Sequence, residues 1–262
     1  MDLPAQIRSA LHSQGLPPPS VAWIRTAMPN RNPLPPLPAL VATVKTRFLA
    51  ADLTNRALFD SSSPAFPPNS SNPEVREVKL TWDIPVQVLD IENLSKSKWE
   101  QVEELEAIAR GEQTRGREII RLPTGDEEDE LGVDGQPTQS AVNGAERPGL
   151  QSRGGSAASV AAAAASAASK TSTHRLVLQD RKGQKLYGLE LKRIDKIGIG
   201  TLNIGEKIML KRGAILARGT LLLDPGTCTI LGGKVEAWQK DWVEGRLARL
   251  REAVGADGPN AR

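Results

Sequence analysis

Residues 205–235 read GEKIMLKRGAILARGTLLLDPGTCTILGGKV. Three β-type segments are packed into this stretch. Glycine or proline punctuates each one, at Gly205, Gly213, Gly219, Pro225–Gly226 and Gly232–Gly233. Apolar residues partly alternate with polar ones, as in Ile208 and Leu210, then Cys228 and Ile230 against Thr227 and Thr229. This pattern predicts a small, strongly bent antiparallel sheet with glycines at its corners. It points to a small barrel that presents surfaces to partners, and no set of catalytic residues accompanies it.

Working upstream, RLVLQD after His174 reads as a strand, DRKGQ (180–184) as a turn and KLYGLELKRI (185–194) as its hairpin partner. Residues 195–203 connect this hairpin to the glycine-rich stretch. An earlier strand is expected near Pro85–Ile91, with Pro85 at its start, where a missing N–H is tolerated. A helix follows. Ser97 and Glu100 have capping-box spacing, Trp99, Val102 and Leu105 are expected to face inward, and Gly111 closes the helix. Downstream, residues 235–254 read as a helix that offers Trp238, Trp242, Leu247 and Leu250 for packing.

Between Gly111 and Ser172 the chain turns polar. The run DEEDE (126–130) and an almost pure Ala/Ser tract (156–169) bury little, so a mostly disordered insert is expected here. Ordering it would cost about 1–2 kcal/mol per residue. The last residues, 251–262, read as a flexible tail.

The first sixty residues read as helices separated by proline-rich joints. Ile7, Ala10 and Leu11 share one face, and Gly15 ends that helix. Ser20 is positioned to cap a second helix carrying Val21 and Ile24. The run 29–38 is a stiff extended connector. Val41, Val44, Phe48 and Ala51 repeat at helical spacing, with Leu49 and Leu53 beside them, and predict a third helix reaching about Leu58. Asp52 is expected to be exposed on it. SSSPAFPPNSSNP (61–73) reads as a linker.

Composition sets the bounds. The chain has 262 residues; without 122–172, roughly 200 remain, enough for a helical module and a small barrel. Aromatic residues are few, so the cores must be mainly aliphatic. The single Cys228 lies in an apolar strand and reads as a buried thiol, which suits a reducing compartment. No apolar run approaches the roughly 18 residues of a membrane span, and residues 1–15 lack the pattern of a signal peptide. Net charge is only +3, but it is unevenly placed. From His174 to Arg218 there are eleven Lys/Arg against four Asp/Glu, and from Glu92 to Asp134 thirteen acids against six bases. A basic barrel beside an acidic segment suggests charged partners or nucleic acid.

Catalytic chemistry finds no support. GIGTLNIG (198–205) lacks dinucleotide-loop spacing and no helix pattern follows it. Two isolated histidines and one cysteine cannot build the usual zinc site. His174 and Cys228 would make a nucleophilic pair only if Cys228 left the core. Neither cofactor, metal nor small-molecule substrate is implied.

The strands number about five, with a long excursion after the first, which is the profile of an OB-fold, a partly open Greek-key barrel. The fold class expected is α+β. A three-helix N-terminal bundle (1–73) precedes an OB-fold barrel (80–250) interrupted by the insert, with a C-terminal helix. ILARGTLLLDPGTCTILGGKVEAW (215–238) closely resembles a segment of the family of RecQ-mediated genome instability protein 1, in which LLL, a proline turn and an LGGxV close follow one another. FLAADL (48–53) resembles that family's N-terminal helical motif, and QVLDIENLSKSKWEQVEELEAIARGE (87–112) resembles its first barrel strand and following helix. The resemblance covers roughly 5–60, 80–121 and 174–250.

This resemblance implies a non-catalytic nuclear subunit that binds topoisomerase III and a RecQ-type helicase and promotes double Holliday junction dissolution. It implies that the insert reaches the topoisomerase gate. Motif position assigns partner binding to Leu49, Asp52, Leu53, Arg218, Leu222, Asp224 and Pro225. The competing expectation is a single-stranded DNA binder, the commonest use of an OB barrel. Lys182, Lys185, Lys192, Arg193, Lys211 and Arg212 are the cations available for phosphates. With Tyr187 as the one aromatic residue in the barrel strands, binding is expected to be weak and salt-sensitive.

Overall fold

The structure is a computed structural model that describes residues 2–111, 113–114, 117–118 and 172–256. Three helices come first: α1 (Leu3–Ser13), α2 (Val21–Ala27) and α3 (Leu37–Ala50). Each begins where local chemistry supplies a start. Proline occupies the first turn of α1 and α3, where a missing N–H costs nothing, and the Ser20 side chain accepts from the Trp23 N–H to cap α2. Their apolar faces close on one core that includes Ile7, Leu11, Ile24, Val44 and Phe48. Phe48 sits edge-on between Trp23 and Phe59, with ring centroids 6.2 and 5.9 Å away.

Helix α3 stops at Ala50, not near Leu58. Ala51 is extended (φ −80°, ψ 152°). The Asp52 carboxylate then accepts from the Thr54 N–H at 2.9 Å, a local bond that competes with the helical one. The chain folds back so that Leu53, Leu58 and Phe59 complete the bundle core, and the Ser20 N–H donates to the Leu58 carbonyl at 2.8 Å.

The barrel is built from β1 (Val78–Lys79), β2 (Ile84–Asn93), β5 (His174–Asp180), β6 (Lys185–Glu190), β7 (Lys207–Leu210), β8 (Ile215–Ala217), β9 (Thr220–Leu223) and β10 (Cys228–Gly232). A two-residue pair, β3 (Gln113–Thr114) with β4 (Arg117–Glu118), lies at the start of the expected insert. The glycine-rich stretch holds four strands instead of three, because Lys211–Gly213 breaks one bent segment into β7 and β8. Sheet order is β1-β8-β9-β6-β5-β2-β7-β10. Since β1 and β2 are successive parts of one segment, and β7 and β8 of another, the ring closes on itself. β6 and β9 run parallel, and the other barrel pairs run antiparallel. That is the OB-fold arrangement. Val86, Val88, Leu176, Leu178, Ile208, Leu210, Leu221 and Leu223 fill the interior.

Helix α4 (Lys98–Ala109) carries the capping box between Ser97 and Glu100. Trp99 departs from expectation: it is 58% exposed, and its Nε1–H donates to Glu103 at 2.8 Å. Gln101 and Val102 face inward instead. Helix α5 (Glu236–Ala256) packs on α4 and extends past the expected start of a tail at 251. The Trp242 Nε1–H reaches Asp90 on β2 at 2.6 Å. The expected insert, apart from its ends and the β3–β4 pair, lies outside the described residues, as does the tail from 257.

The 61–73 segment is pinned to the barrel. Phe66 is buried and its N–H donates to Asp180 at 2.9 Å, while Arg181 donates to the carbonyls of Ser61 and Ser63 at 2.6 Å each.

Candidate partner-docking surface

The residues assigned to partner binding separate into two places. Leu49, Asp52 and Leu53 stand at the seam between bundle and barrel. Leu53 is fully buried. Its N–H donates to Gln87 Oε1 at 2.9 Å, and Gln87 Nε2 donates to Asp52 at 2.7 Å and to Gln179 at 3.0 Å. Asp52 is therefore half-buried and turned inward, not exposed on a helix. Burial acts to raise its pKa, but the hydrogen bonds from Gln87 and Thr54 and the charge of Lys207 outweigh this and hold it below the usual carboxylate value.

Lys207 completes this seam. It is cross-strand neighbour to Gln87, is fully buried, and donates its ammonium to the Gly205 carbonyl. Burial pushes its pKa down to about 8, against the opposing pull of Asp52 and Glu206. Burial in turn raises the pKa of Glu206, although it accepts from Asn203 at 2.8 Å. Gly233 explains one glycine of the LGG motif. It has φ +88°, and a Cβ there would stand 2.4 Å from the Leu49 carbonyl oxygen. The close of the barrel and the end of α3 thus touch backbone to backbone.

The second group lies on the outside of β5, β6, β9 and β8. Register places Arg175, Leu189, Leu222 and Ile215 in one row across these strands, and Val177, Tyr187, Thr220 and Ala217 in the next. Their strand neighbours, such as Leu186, Leu216, Leu221 and Leu223, point into the core. The outward row residues are half-buried, except for the exposed Arg175 and Tyr187. Just past β6, Leu191 is 59% exposed. The strip is apolar at its centre and charged at its ends. Arg175 stacks over Tyr187 at 5.0 Å and pairs with Glu92 at 2.5 Å.

Leu222 is central to this strip, and Arg218, Asp224 and Pro225 rim it. Arg218 sits at the β8–β9 turn with φ +48°, its N–H donating to the Val75 carbonyl at 3.0 Å. Asp224 pairs with Lys192 at 2.8 Å and accepts from the Gly226 N–H at 2.8 Å, which fixes the proline turn. The hydrogen bond and charge of Asp224 raise the Lys192 pKa.

The expected phosphate-binding cations also divide. Lys182 and Lys185 are exposed in the β5–β6 hairpin, and Lys211 and Arg212 are exposed at the β7–β8 corner. Lys192 is occupied by Asp224. Arg193 is half-buried, donating to Glu190 at 2.9 Å and to the Ile197 carbonyl, so its role is structural. Glu190 also accepts from the Ile194 N–H at 2.8 Å and meets His174 Nδ1 at 2.9 Å. Burial works to raise the Glu190 pKa, and these bonds outweigh it and lower it.

Cys228 is buried, and burial together with the Glu190 charge pushes its thiol up to about 12. A thiol in that state is not a nucleophile. Among the described residues, no group of His, Cys, Asp and Glu is placed to hold a metal, and no helix is long and apolar enough to cross a membrane.

Sequence reasoning missed Gln87, Lys207 and Trp82. IPVQV (84–88) is buried at every position, and such a near-continuous apolar run signals a strand covered on both faces. That signal would have placed Gln87 beneath the bundle.

Helical bundle and closed five-segment barrel define an OB-fold protein with an N-terminal helical module. The comparisons with known proteins agree. Residues 66–246 match the family model "RMI1, N-terminal OB-fold domain", and residues 11–55 match "RMI1, N-terminal helical domain". The chain is 28% identical over 199 residues to RecQ-mediated genome instability protein 1 of Schizosaccharomyces pombe, covering 76% of this chain and 74% of that one. The chain belongs to the RMI1 family of genome-stability OB-fold proteins.

Proposed function

We propose that this chain is a non-catalytic nuclear scaffold subunit that docks topoisomerase III within a RecQ-helicase complex and so promotes double Holliday junction dissolution. The observation that carries this reading is the partly exposed apolar strip on the outside of the barrel. Leu189, Leu222 and Ile215 run across three strands, Tyr187 and Leu191 stand beside them, and a charged rim surrounds them. Burying such a strip contributes about 25 cal/mol per Å². Interfaces of this type place their strongest contacts at an apolar, aromatic centre inside a polar rim. The identity of the partner is what the resemblance in the sequence implies. The name of the Schizosaccharomyces pombe relative, RecQ-mediated genome instability protein 1, links RecQ to genome instability.

The test is co-purification of the full chain with topoisomerase III and the RecQ helicase of the same cell, followed by junction dissolution with and without the chain. The account expects a stable complex and faster dissolution. A chain that forms no complex with either enzyme and leaves dissolution unchanged would sink it.

A further inference from the structure

The β1–β8 and β2–β7 ladders are one antiparallel ladder broken at a corner. Lys79 pairs with Ile215 on one side of the break, and Ile84 with Leu210 on the other. Between them, residues 80–83 face residues 211–214. The corner is firmly held: the Leu80 N–H donates to Ala214 at 2.9 Å, the Gly213 N–H to Leu80 at 2.8 Å, and the Arg212 N–H to the Asp83 carboxylate at 2.7 Å. Leu80 is buried beneath it.

Trp82 projects from this rigid corner and is 69% exposed. Arginines cover Tyr187 and Trp242 among the described residues, while the Trp82 ring carries no such contact. Lys79, Lys211 and Arg212 are exposed on the two segments that meet at this corner, and Asp83, next to Trp82 in the chain, accepts from the Arg212 N–H.

We propose that this corner binds single-stranded nucleic acid, with a base stacked on Trp82 and the flanking phosphates held by Lys79, Lys211 and Arg212. An exposed indole offers a π-face to any base, and cations within a few residues track the backbone. Paired bases within a duplex present no such face. A protein contact is the less suitable reading here, because the neighbours Thr81, Asp83, Lys211 and Arg212 are polar or charged, whereas interface centres are depleted in lysine and acids. Lys79, the cross-strand neighbour of Ile215, borders the strip proposed for topoisomerase docking, whereas Trp82, Lys211 and Arg212 lie beyond that row; the variants below are confined to these three, so the two proposals fail separately.

The test is fluorescence anisotropy of the full chain with a labelled thymidine 15-mer, at several salt concentrations. Trp82→Ala is expected to weaken binding about fivefold or more, and Trp82→Phe to keep most of it. Lys211→Ala with Arg212→Ala is expected to reduce the slope of log affinity against log salt by about 1.4, the value for two phosphate contacts on a single strand. Unaltered melting temperatures and unaltered topoisomerase binding separate this from misfolding. Wild-type affinity in Trp82→Ala, or no binding by the wild-type chain at low salt, overturns the proposal. Intact DNA binding with lost topoisomerase binding in that variant would make the corner a protein contact.

Discussion

Two rows of side chains cross the outside of the same barrel, and they are treated in opposite ways. Gln179, Gln87 and Lys207 cross β5, β2 and β7, and the end of the helical bundle covers them. Leu189, Leu222 and Ile215 cross β6, β9 and β8 and remain partly exposed. The polar row is inside and the apolar row is outside. Every polar bond that crosses the first row fixes one geometry, because a donor without its acceptor there would lose about 1–3 kcal/mol. The apolar row fixes nothing within the chain and remains available to a partner. The seam therefore sets how bundle and barrel are held, and the strip is the surface proposed above to meet a partner.

The comparison is most sharply tested at the seam, by its glycines. Gly233→Ala is expected to cost about 3 kcal/mol or more in urea unfolding, since φ +88° and the Leu49 carbonyl at 2.4 Å both oppose a Cβ. Gly232 has φ +93° but nothing within 4 Å. Gly232→Ala should lose only about 1 kcal/mol, from backbone strain alone. Equal losses would mean that the Leu49 contact does not hold the seam.

Asp52→Lys comes next. It removes an acceptor from Gln87 and sets a second cation beside Lys207. The expected loss is about 2 kcal/mol, with topoisomerase affinity per folded molecule unchanged. A normal melting temperature with weakened binding would return Asp52 to the partner surface.

Lys207 gives the seam a pH signature. Its folded pKa of about 8 lies below the ordinary 10.5. Between these values the unfolded chain keeps a proton that the folded chain has shed, so stability rises with pH across that window. The gain is on the order of 3 kcal/mol. Unfolding free energies at pH 7.5 and 10.5 should therefore climb more steeply in the wild type than in Lys207→Met. Parallel profiles would show that Lys207 titrates as an exposed lysine.

The α+β architecture and the OB profile were legible because local signals and the fold agree. The Ser97–Glu100 capping box, the 180–184 turn and the glycines of 205–235 all stand where the periodicity placed them. The end of α3 was not legible. Helical spacing continues through Leu53, and only the side chain of Asp52 and the return of the chain to Ser20 stop it. The candidate site was half legible. Leu222, Asp224 and Pro225 belong to a motif whose strands face outward. Leu49, Asp52 and Leu53 stand at the seam, where Leu53 and Asp52 bond Gln87 and the Leu49 carbonyl meets Gly233. Motif position reports that a residue is constrained, and it does not distinguish an inner constraint from an outer one. Trp82 lies in the four-residue gap between β1 and β2, where no period exists to be read.

The central claim is that the outer strip, and not the seam, meets the topoisomerase. Calorimetric titration of topoisomerase III with full-length Leu191→Arg/Leu222→Arg tests it most directly. The account predicts an affinity at least tenfold below wild type, with the melting temperature unchanged. Wild-type affinity in this double variant, with a strip that carries two new charges, would contradict it.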